Sequence, residues 1–439
     1  MDIDKTTYED LSLFSHEEEY SIFHKLDCTR TRGGRDCLLE LFNEPFGRIA
    51  PIRETQQILA QILRDADQWP LSISNGTIMV MEKFYETAID EIPPQSVFPY
   101  THIYRIFHAP DYSLVRYSVG HFADFVRGMG KLAKLLDRED SPERLRTLMS
   151  RVARLLEPDP IRSLAETEPG RKPTPSEALY YGHFLRNRFR TATHELIKIY
   201  GQLDAWYSMA MANRKYGLCF PEFLDRAEPT IETRGLFHIL LPKPVAYDVE
   251  LDQRHNFMFL TGANMGGKST FIKAVGTAVF LAHLGMGVPA VAMRLSLFEG
   301  ILSNINVVDN IVKGESYFFN EVQRIRNTLL KISDRQRWLV LIDELFKGTN
   351  VQDAMKCSST VIKGLIRIPS SLFILSTHLY EIGDELRQYP NIVFSYFETR
   401  VREDDELEFS YQLKEGISND RLGYLILKRE KVVEMLEKL

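Results

Sequence analysis

Hydrophobic positions recur at two different spacings along the chain, and the change between them marks its main division. In the first half, Phe122, Phe125, Val126, Met129, Leu132, Leu135 and Leu136 repeat at helical spacing. Leu185, Phe189, Leu196, Ile199, Leu203 and Trp206 form a second such run. Prolines 158, 160, 169, 173 and 175 lie between them and exclude a continuous helix. The stretch 156–176 therefore reads as a loop joining two long helices. In the second half, short and wholly apolar runs at 257–260, 338–342 and 372–375 alternate with helical stretches. Strands buried on both faces have that pattern, so a mostly parallel sheet covered by helices is predicted. The β-rich stretches 391–401 and 407–413, flanking the charged residues 402–406, read as an edge hairpin, and 421–439 as a closing helix. The chain is thus expected to be multidomain, with an all-α part over 1–225 and an α/β part over 226–439. No internal repeat is visible.

Composition narrows this picture only modestly. The 439 residues are 44% hydrophobic and 26% charged, as in an ordinary globular protein. A net charge of -6 means that any polyanionic partner must be met by local basic patches. Cys28, Cys37, Cys219 and Cys357 include no closely spaced pair, which argues against a disulfide framework or zinc site and fits a reducing compartment. The acidic N-terminus shows no secretory pattern. The stretch 274–293 has no formally charged residue, yet its glycines and Pro289 favour a buried helix and turn over a membrane span. A cytoplasmic protein without membrane contact is expected.

The chemistry concentrates where the strands end. The run Gly262-Ala263-Asn264-Met265-Gly266-Gly267-Lys268-Ser269-Thr270 follows an apolar strand. Its glycines allow tight turns in which successive backbone N–H groups face phosphate oxygens. Lys268 would reach the terminal phosphates and Ser269 would bind Mg²⁺, while the following helix adds its positive end. Strand, glycine loop, lysine, hydroxyl and helix in this order predict an ATP-binding P-loop. The strand at 338–342 runs into Asp343 and Glu344. Asp343 is then a candidate metal partner and Glu344 a candidate to polarise attacking water. His378, at the end of the strand about 35 residues later, is the third candidate catalytic group beside Lys268 and Glu344.

With their flanks, these pieces resemble the MutS family of DNA mismatch repair ATPases. Thr261 to Thr270 differs from that family's usual Thr-Gly-Pro-Asn-Met-Gly-Gly-Lys-Ser-Thr only at Ala263. Asp343-Glu-Leu-Phe-Lys-Gly-Thr-Asn350 is similar to the family's Asp-Glu-Leu-Gly-Arg-Gly-Thr-Ser, with Phe346 as a departure. The stretch from Asp309 to Glu321 resembles the loop that crosses to the partner subunit's nucleotide, and keeps its serine as Ser316 while Tyr317 replaces threonine. Asp10 to Phe14, Ser21 to Arg35 and Leu203 to Ala210 are similar to parts of the family's helical core. Gly235-Leu-Phe-His238 is similar to a segment near the adenine but lacks its proline.

The resemblance implies a core and lever domain followed by an ABC-type ATPase domain, working as a homodimer on ATP and Mg²⁺. Loop residues 262–270 would hold the nucleotide together with Ser316 in trans, and Ser269 and Asp343 the metal. DNA, mismatched or branched, and a MutL-like repair protein are the partners implied. The core resemblance begins near residue 10, so a chain without the family's mismatch-recognition and connector domains is expected, and Phe84-Tyr-Glu86 reads as core packing rather than a mismatch wedge. Arginines cluster at 30–35, 144–154 and 186–190, but their apolar neighbours suit solvated faces of amphipathic helices. Residues 155–180 are, by analogy, the candidate lever tip for DNA. Two alternatives stay open: an ATPase acting on branched or recombination DNA, and a nucleotide-switched module for a protein or ribosomal partner.

Overall fold

The computed structural model describes residues 1–93, 100–306, 317–401, 407–418 and 431–437. It forms two compact units whose bounds differ from a single cut at 225/226. One unit comprises Met1–Lys25, Glu44–Ile52 and Lys215–Leu439, and the other Leu26–Asn43 and Arg53–Arg214.

The first unit is mixed helix and sheet, with a sheet that is largely parallel. Its strands are β1 (Asp2–Ile3), β2 (Glu222–Leu224), β3 (Thr230–Leu236), β4 (Tyr247–Asp252), β5 (Phe257–Gly262), β6 (Ala292–Ser296), β7 (Gly300–Asn304), β8 (Trp338–Asp343), β9 (Leu372–Ser376), β10 (Ile392–Val401) and β11 (Leu407–Glu415). Seven of them form one sheet in the order β1-β7-β8-β9-β5-β10-β11, and β2-β6-β3-β4 form another. In the larger sheet only β11 runs antiparallel to its neighbour. Every residue of β5, β8 and β9 is buried, which is why these strands read as unbroken apolar runs. Phe257, Phe259, Val340, Ile342, Phe373 and Leu375 pack there with Ile362 and Leu365, each large side chain contributing roughly 1.5–3 kcal/mol.

The hairpin forms as predicted, but β10 lies inside the sheet, paired parallel with β5, and β11 alone is the edge. The apolar stretch 274–293 resolves into the end of a helix at His283, a turn through Gly285 at φ 72°, and β6. None of the described helices is long and apolar enough to cross a membrane. Of the expected closing helix, Val432–Glu437 is described.

Met1–Lys25 belongs to this unit because its polar side chains are tied to distant strands and helices. Asp10 is fully buried and accepts hydrogen bonds from Ser303 Oγ (2.6 Å), Ile305 N (2.9 Å) and Asn306 N (2.9 Å). Asp4 pairs with Arg324 at 2.9 Å, and Ser303 N donates to Thr7 Oγ1 at 3.0 Å.

All described elements of the second unit are helical. Its longest helix, Ala109–Leu136, extends about 42 Å. Phe84, fully buried in the helix Asn75–Glu86, packs against Phe122 with ring centroids 5.5 Å apart, in keeping with a core role. The stretch 156–176 is not all loop: Asp159–Ala165 is a helix with Pro160 in its first turn, where the missing N–H costs nothing. The next helix, Pro175–Arg188, starts in a capping box between Thr174 and Glu177, and the chain turns at Phe189 before Arg190–Tyr216. Much of the arginine clusters is engaged inside the fold. Arg151 binds Glu195 through two nitrogens at 2.6 and 2.7 Å, Arg186 donates to the Phe84 and Thr87 carbonyls, and Arg144 lies 5.0 Å over the Trp206 ring.

The motif around Arg30 to Arg35 owes its glycines to packing. Buried Asp204 accepts from Thr31 N (2.8 Å), Thr31 Oγ1 (2.7 Å) and Arg30 N, and a Cβ on Gly34 would stand 2.1 Å from its Oδ2. At Gly33 a Cβ meets nothing within 4 Å. We therefore expect Gly34→Ala to destabilise by about 2–4 kcal/mol, and Gly33→Ala to be neutral or to stabilise by up to ~1 kcal/mol. Urea unfolding followed by circular dichroism distinguishes them, and equal effects would refute the role given to Asp204.

Candidate nucleotide site

Three strand ends converge on one region because β8, β9 and β5 are consecutive and parallel. In such sheets ligands bind beyond the carboxyl ends of the strands. β5 delivers the loop 262–267. Gly262 has φ 135°, and a Cβ there would lie 3.1 Å from the Phe397 carbonyl of β10. Met265 follows at φ 67° and Gly267 at φ 107°, so the backbone turns tightly before the helix Lys268–His283 begins. This left-handed step at Gly267 brings the helix N-terminus to the cavity, and the first N–H groups of a helix have no partner within it.

Lys268 is about nine-tenths buried and folds back on its own loop, donating to the carbonyls of Gly262 (2.8 Å) and Ala263 (2.9 Å). Burial lowers its pKa to about 8, against the pull of Glu344 and Asp343 in the other direction. Asp343, at the end of β8, is paired in register with Ser376 of β9. One of its carboxylate oxygens accepts from Ser269 Oγ and the other from Ser376 Oγ. The loop's hydroxyl and the acid at the end of β8 are therefore in direct contact.

Glu344 adopts φ 63°, which turns its side chain out of the strand, and its N–H donates to the Ser376 carbonyl at 2.9 Å. Its Oε1 lies 2.7 Å from His378 Nε2 and its Oε2 3.1 Å from Lys347 Nζ. Burial alone would raise the Glu344 pKa, but the hydrogen bond from His378 and the charge of Lys347 prevail and hold it at about 2. His378 Nε2 also lies 3.3 Å from Lys268 Nζ. One ring nitrogen cannot donate to Glu344 and accept from the lysine together. The shorter, charge-assisted contact decides the tautomer, with the Nε2 proton on the Glu344 side.

The cavity above the loop has a volume of about 460 Å³ and is lined by 263–270, Asp343 and Glu344. Its other wall was not read from the sequence: Leu241, Lys243, Val245 and Tyr247, with Tyr411 from β11. Tyr247 is set edge-on against Phe271 and Phe397, at 5.3 and 5.8 Å. Phe237 and His238, from the segment similar to the family's adenine-side sequence, are not among the lining residues. His238 is buried, and burial with the nearby Lys273 lowers its pKa to about 4. Ser316 lies outside the described residues. Phe346, the departure after the acidic pair, takes φ 61° where the family's glycine would be unstrained. It is held there by the Phe318 ring at 5.6 Å and by its N–H donating to Glu321 at 3.0 Å.

Residues 258–435 match the family model of MutS domain V. The DNA mismatch repair protein msh3 of Aspergillus fumigatus is 27% identical over 235 residues, covering 50% of this chain and 20% of the relative. MutS of Pseudothermotoga lettingae is 28% identical over 231 residues, 52% of this chain and 28% of the relative. The mismatch repair protein spellchecker 1 of Drosophila melanogaster is 28% identical over 235 residues, 52% of this chain and 25% of the relative. The matches thus span less than a third of each of these relatives. The domain V match takes in the loop lysine, the Asp343–Glu344 pair and His378, and so supports a MutS-family reading of this part of the chain.

Proposed function

We propose that the chain is a DNA-binding ATPase related to mismatch repair, in which ATP hydrolysis in the sheet unit drives a helical core and lever. The observation that carries this reading is the convergence of Lys268, Asp343 and Glu344 at one cavity, with His378 against Glu344 and Lys268, the four reached from three separate strands.

ATP would lie with its phosphates along the loop N–H groups and its base toward the apolar and aromatic wall of Val245, Tyr247 and Tyr411. Lys268 leaves its own carbonyls for the phosphate oxygens, a charge-assisted exchange that favours nucleotide over the closed loop. The facing oxygens of Ser269 and Asp343 are hard donors of the kind Mg²⁺ takes, so these two residues fit that ion. When bound, Mg²⁺ neutralises charge that develops on the phosphates. Glu344 is ionised throughout the physiological range and can accept a hydrogen bond from the attacking water. His378 positions its carboxylate. Water oxygen then bonds to the γ phosphorus as the bond to the β-phosphate oxygen breaks, and the proton leaves with the released phosphate.

The family resemblance further supports a homodimer with Ser316 reaching the partner's nucleotide, and a MutL-like protein as a downstream contact. The relatives' names support DNA as the substrate of the assembly. In the helical unit, residues 155–180 are our candidate for its grip.

Lys268→Ala should abolish measurable ATP binding. Glu344→Ala should keep binding while lowering kcat by roughly 10²–10³-fold, and normal turnover in that variant would sink the assignment of Glu344.

A lysine near pKa 8 gains protons when anionic phosphates raise its pKa. ATP binding at pH 8 should therefore take up roughly half a proton per site, measured by calorimetry in buffers of different ionisation enthalpy. Lys268→Arg should bind without uptake, and uptake by that variant would show that another group titrates.

Gel shifts with homoduplex, mismatched and four-way DNA, with and without ATP, test the partner. We expect ATP-dependent retention of at least one. Binding to none would favour the protein-partner alternative, and preference for four-way over mismatched DNA would favour the branched-DNA one.

A further inference from the structure

A second cavity, of about 390 Å³, lies within the helical unit between the helix Ala109–Leu136 and the segment 168–173. It is independent of the nucleotide site. Four cations line it, Arg116, Arg127, Arg171 and Lys172, against two acids, Asp124 and Glu168. This excess of positive charge stands out in a chain of net charge -6.

All three arginines are already held in place, Arg171 by the Glu177 carboxylate at 2.9 Å. Arg116 donates through Nε to the Pro173 carbonyl at 3.2 Å, and its two terminal nitrogens make no hydrogen bond among the described residues. Arg127 donates to Asp124 at 2.8 Å and to the Thr167 carbonyl at 2.8 Å, while its Nε is buried without a partner. The Tyr112 hydroxyl, one helical turn before Arg116, is likewise buried and unpartnered, and the residue is only 6% exposed. Buried polar groups in folded proteins are nearly always paired, so two orphans at one cavity point to an absent partner.

The floor of the cavity supports the same conclusion. Gly120 lies mid-helix, where glycine is disfavoured, and a Cβ added there meets nothing within 4 Å. The space above the helix is open because that side chain is missing. At the rim, the Tyr117 ring is 60% exposed and sits edge-on to His121 with centroids 4.7 Å apart.

We infer that this cavity binds a small phosphate ester carrying a planar ring, of nucleoside monophosphate size. A dianionic phosphate offers three acceptor oxygens to the free terminal nitrogens of Arg116 and to Lys172 at the same cavity, and an Arg fork suits it geometrically. The volume lies in the range of small-molecule sites and leaves room beyond a bare phosphate. The exposed Tyr117 ring gives a planar base a stacking surface.

The test uses the full chain carrying Lys268→Ala, so that the first site is silent. AMP, inorganic phosphate and a five-nucleotide single strand are titrated in turn by calorimetry. We expect one saturable AMP per chain, inorganic phosphate at least tenfold weaker, and no gain for the strand. Arg116→Ala and Gly120→Leu should each weaken AMP at least tenfold. A Cβ at Gly120 meets nothing within 4 Å, so Gly120→Leu should not lower Tm, and with Lys268 restored its ATPase rate should be unchanged. Absence of saturable AMP binding overturns the inference, as does AMP binding that Gly120→Leu leaves intact. Phosphate as tight as AMP overturns the ring, and a strand tenfold tighter than AMP reassigns the cavity to a nucleic-acid backbone.

Discussion

The contact on which the nucleotide site depends is the Asp343 carboxylate between two serine hydroxyls. Ser269 belongs to the helix after the loop and Ser376 to the neighbouring strand, so one side chain ties three elements at the point where phosphate chemistry is expected. The contact exists because β8 and β9 are paired with Asp343 opposite Ser376. Side chains alternate across a strand, and a slip of one residue would send the acid to the opposite face. The buried apolar residues of β8 and β9 fix that register, so packing in the sheet is what positions the charge.

Departures from ordinary backbone collect at the same place. Met265, Glu344 and Phe346 all have positive φ without being glycine, at a cost on the order of 1–2 kcal/mol each. Each of the last two is compensated locally. Glu344 is held by its N–H to Ser376 and its carboxylate to His378 and Lys347. Phe346 is held by Glu321 and Phe318. Lys268 is the electrostatic counterpart, a buried cation whose charged form is disfavoured until anions arrive. Strain and desolvation thus make the site most favourable when it is filled.

The legible parts of the sequence were those whose cause is local. β5, β8 and β9 announced themselves by unbroken burial, and the loop glycines by the turns they permit. Asp343, Glu344 and His378 could be placed because each stands at the end of a strand or within two residues beyond it. What escaped notice depends on contacts across the chain. β1 has two residues, and β2, β3 and β4 carry Glu222, Glu232 and Glu250 among their apolar positions. Nothing near Asp10 in sequence shows that its acceptors' partners are Ser303 to Asn306. Tyr411 reaches the cavity wall only because β10 folds in beside β5 and brings β11 with it.

The arginines of the helical unit show why charge counted along a sequence is a poor guide to a binding surface. Arg151, Arg186 and Arg144 look like a polyanion patch, yet the donors of the first two are taken up by Glu195 and by backbone carbonyls, and the guanidinium plane of Arg144 lies over Trp206. A paired guanidinium has little field left to offer, and recruiting it would mean breaking a contact that orders the helices. Arg116 and Arg127 belong to none of the clusters visible in the sequence. They keep unpaired nitrogens because the fold fixes their other donors on Pro173, Asp124 and Thr167. Recognition depends on donors left over after folding, and the structure distinguishes these from donors already in use.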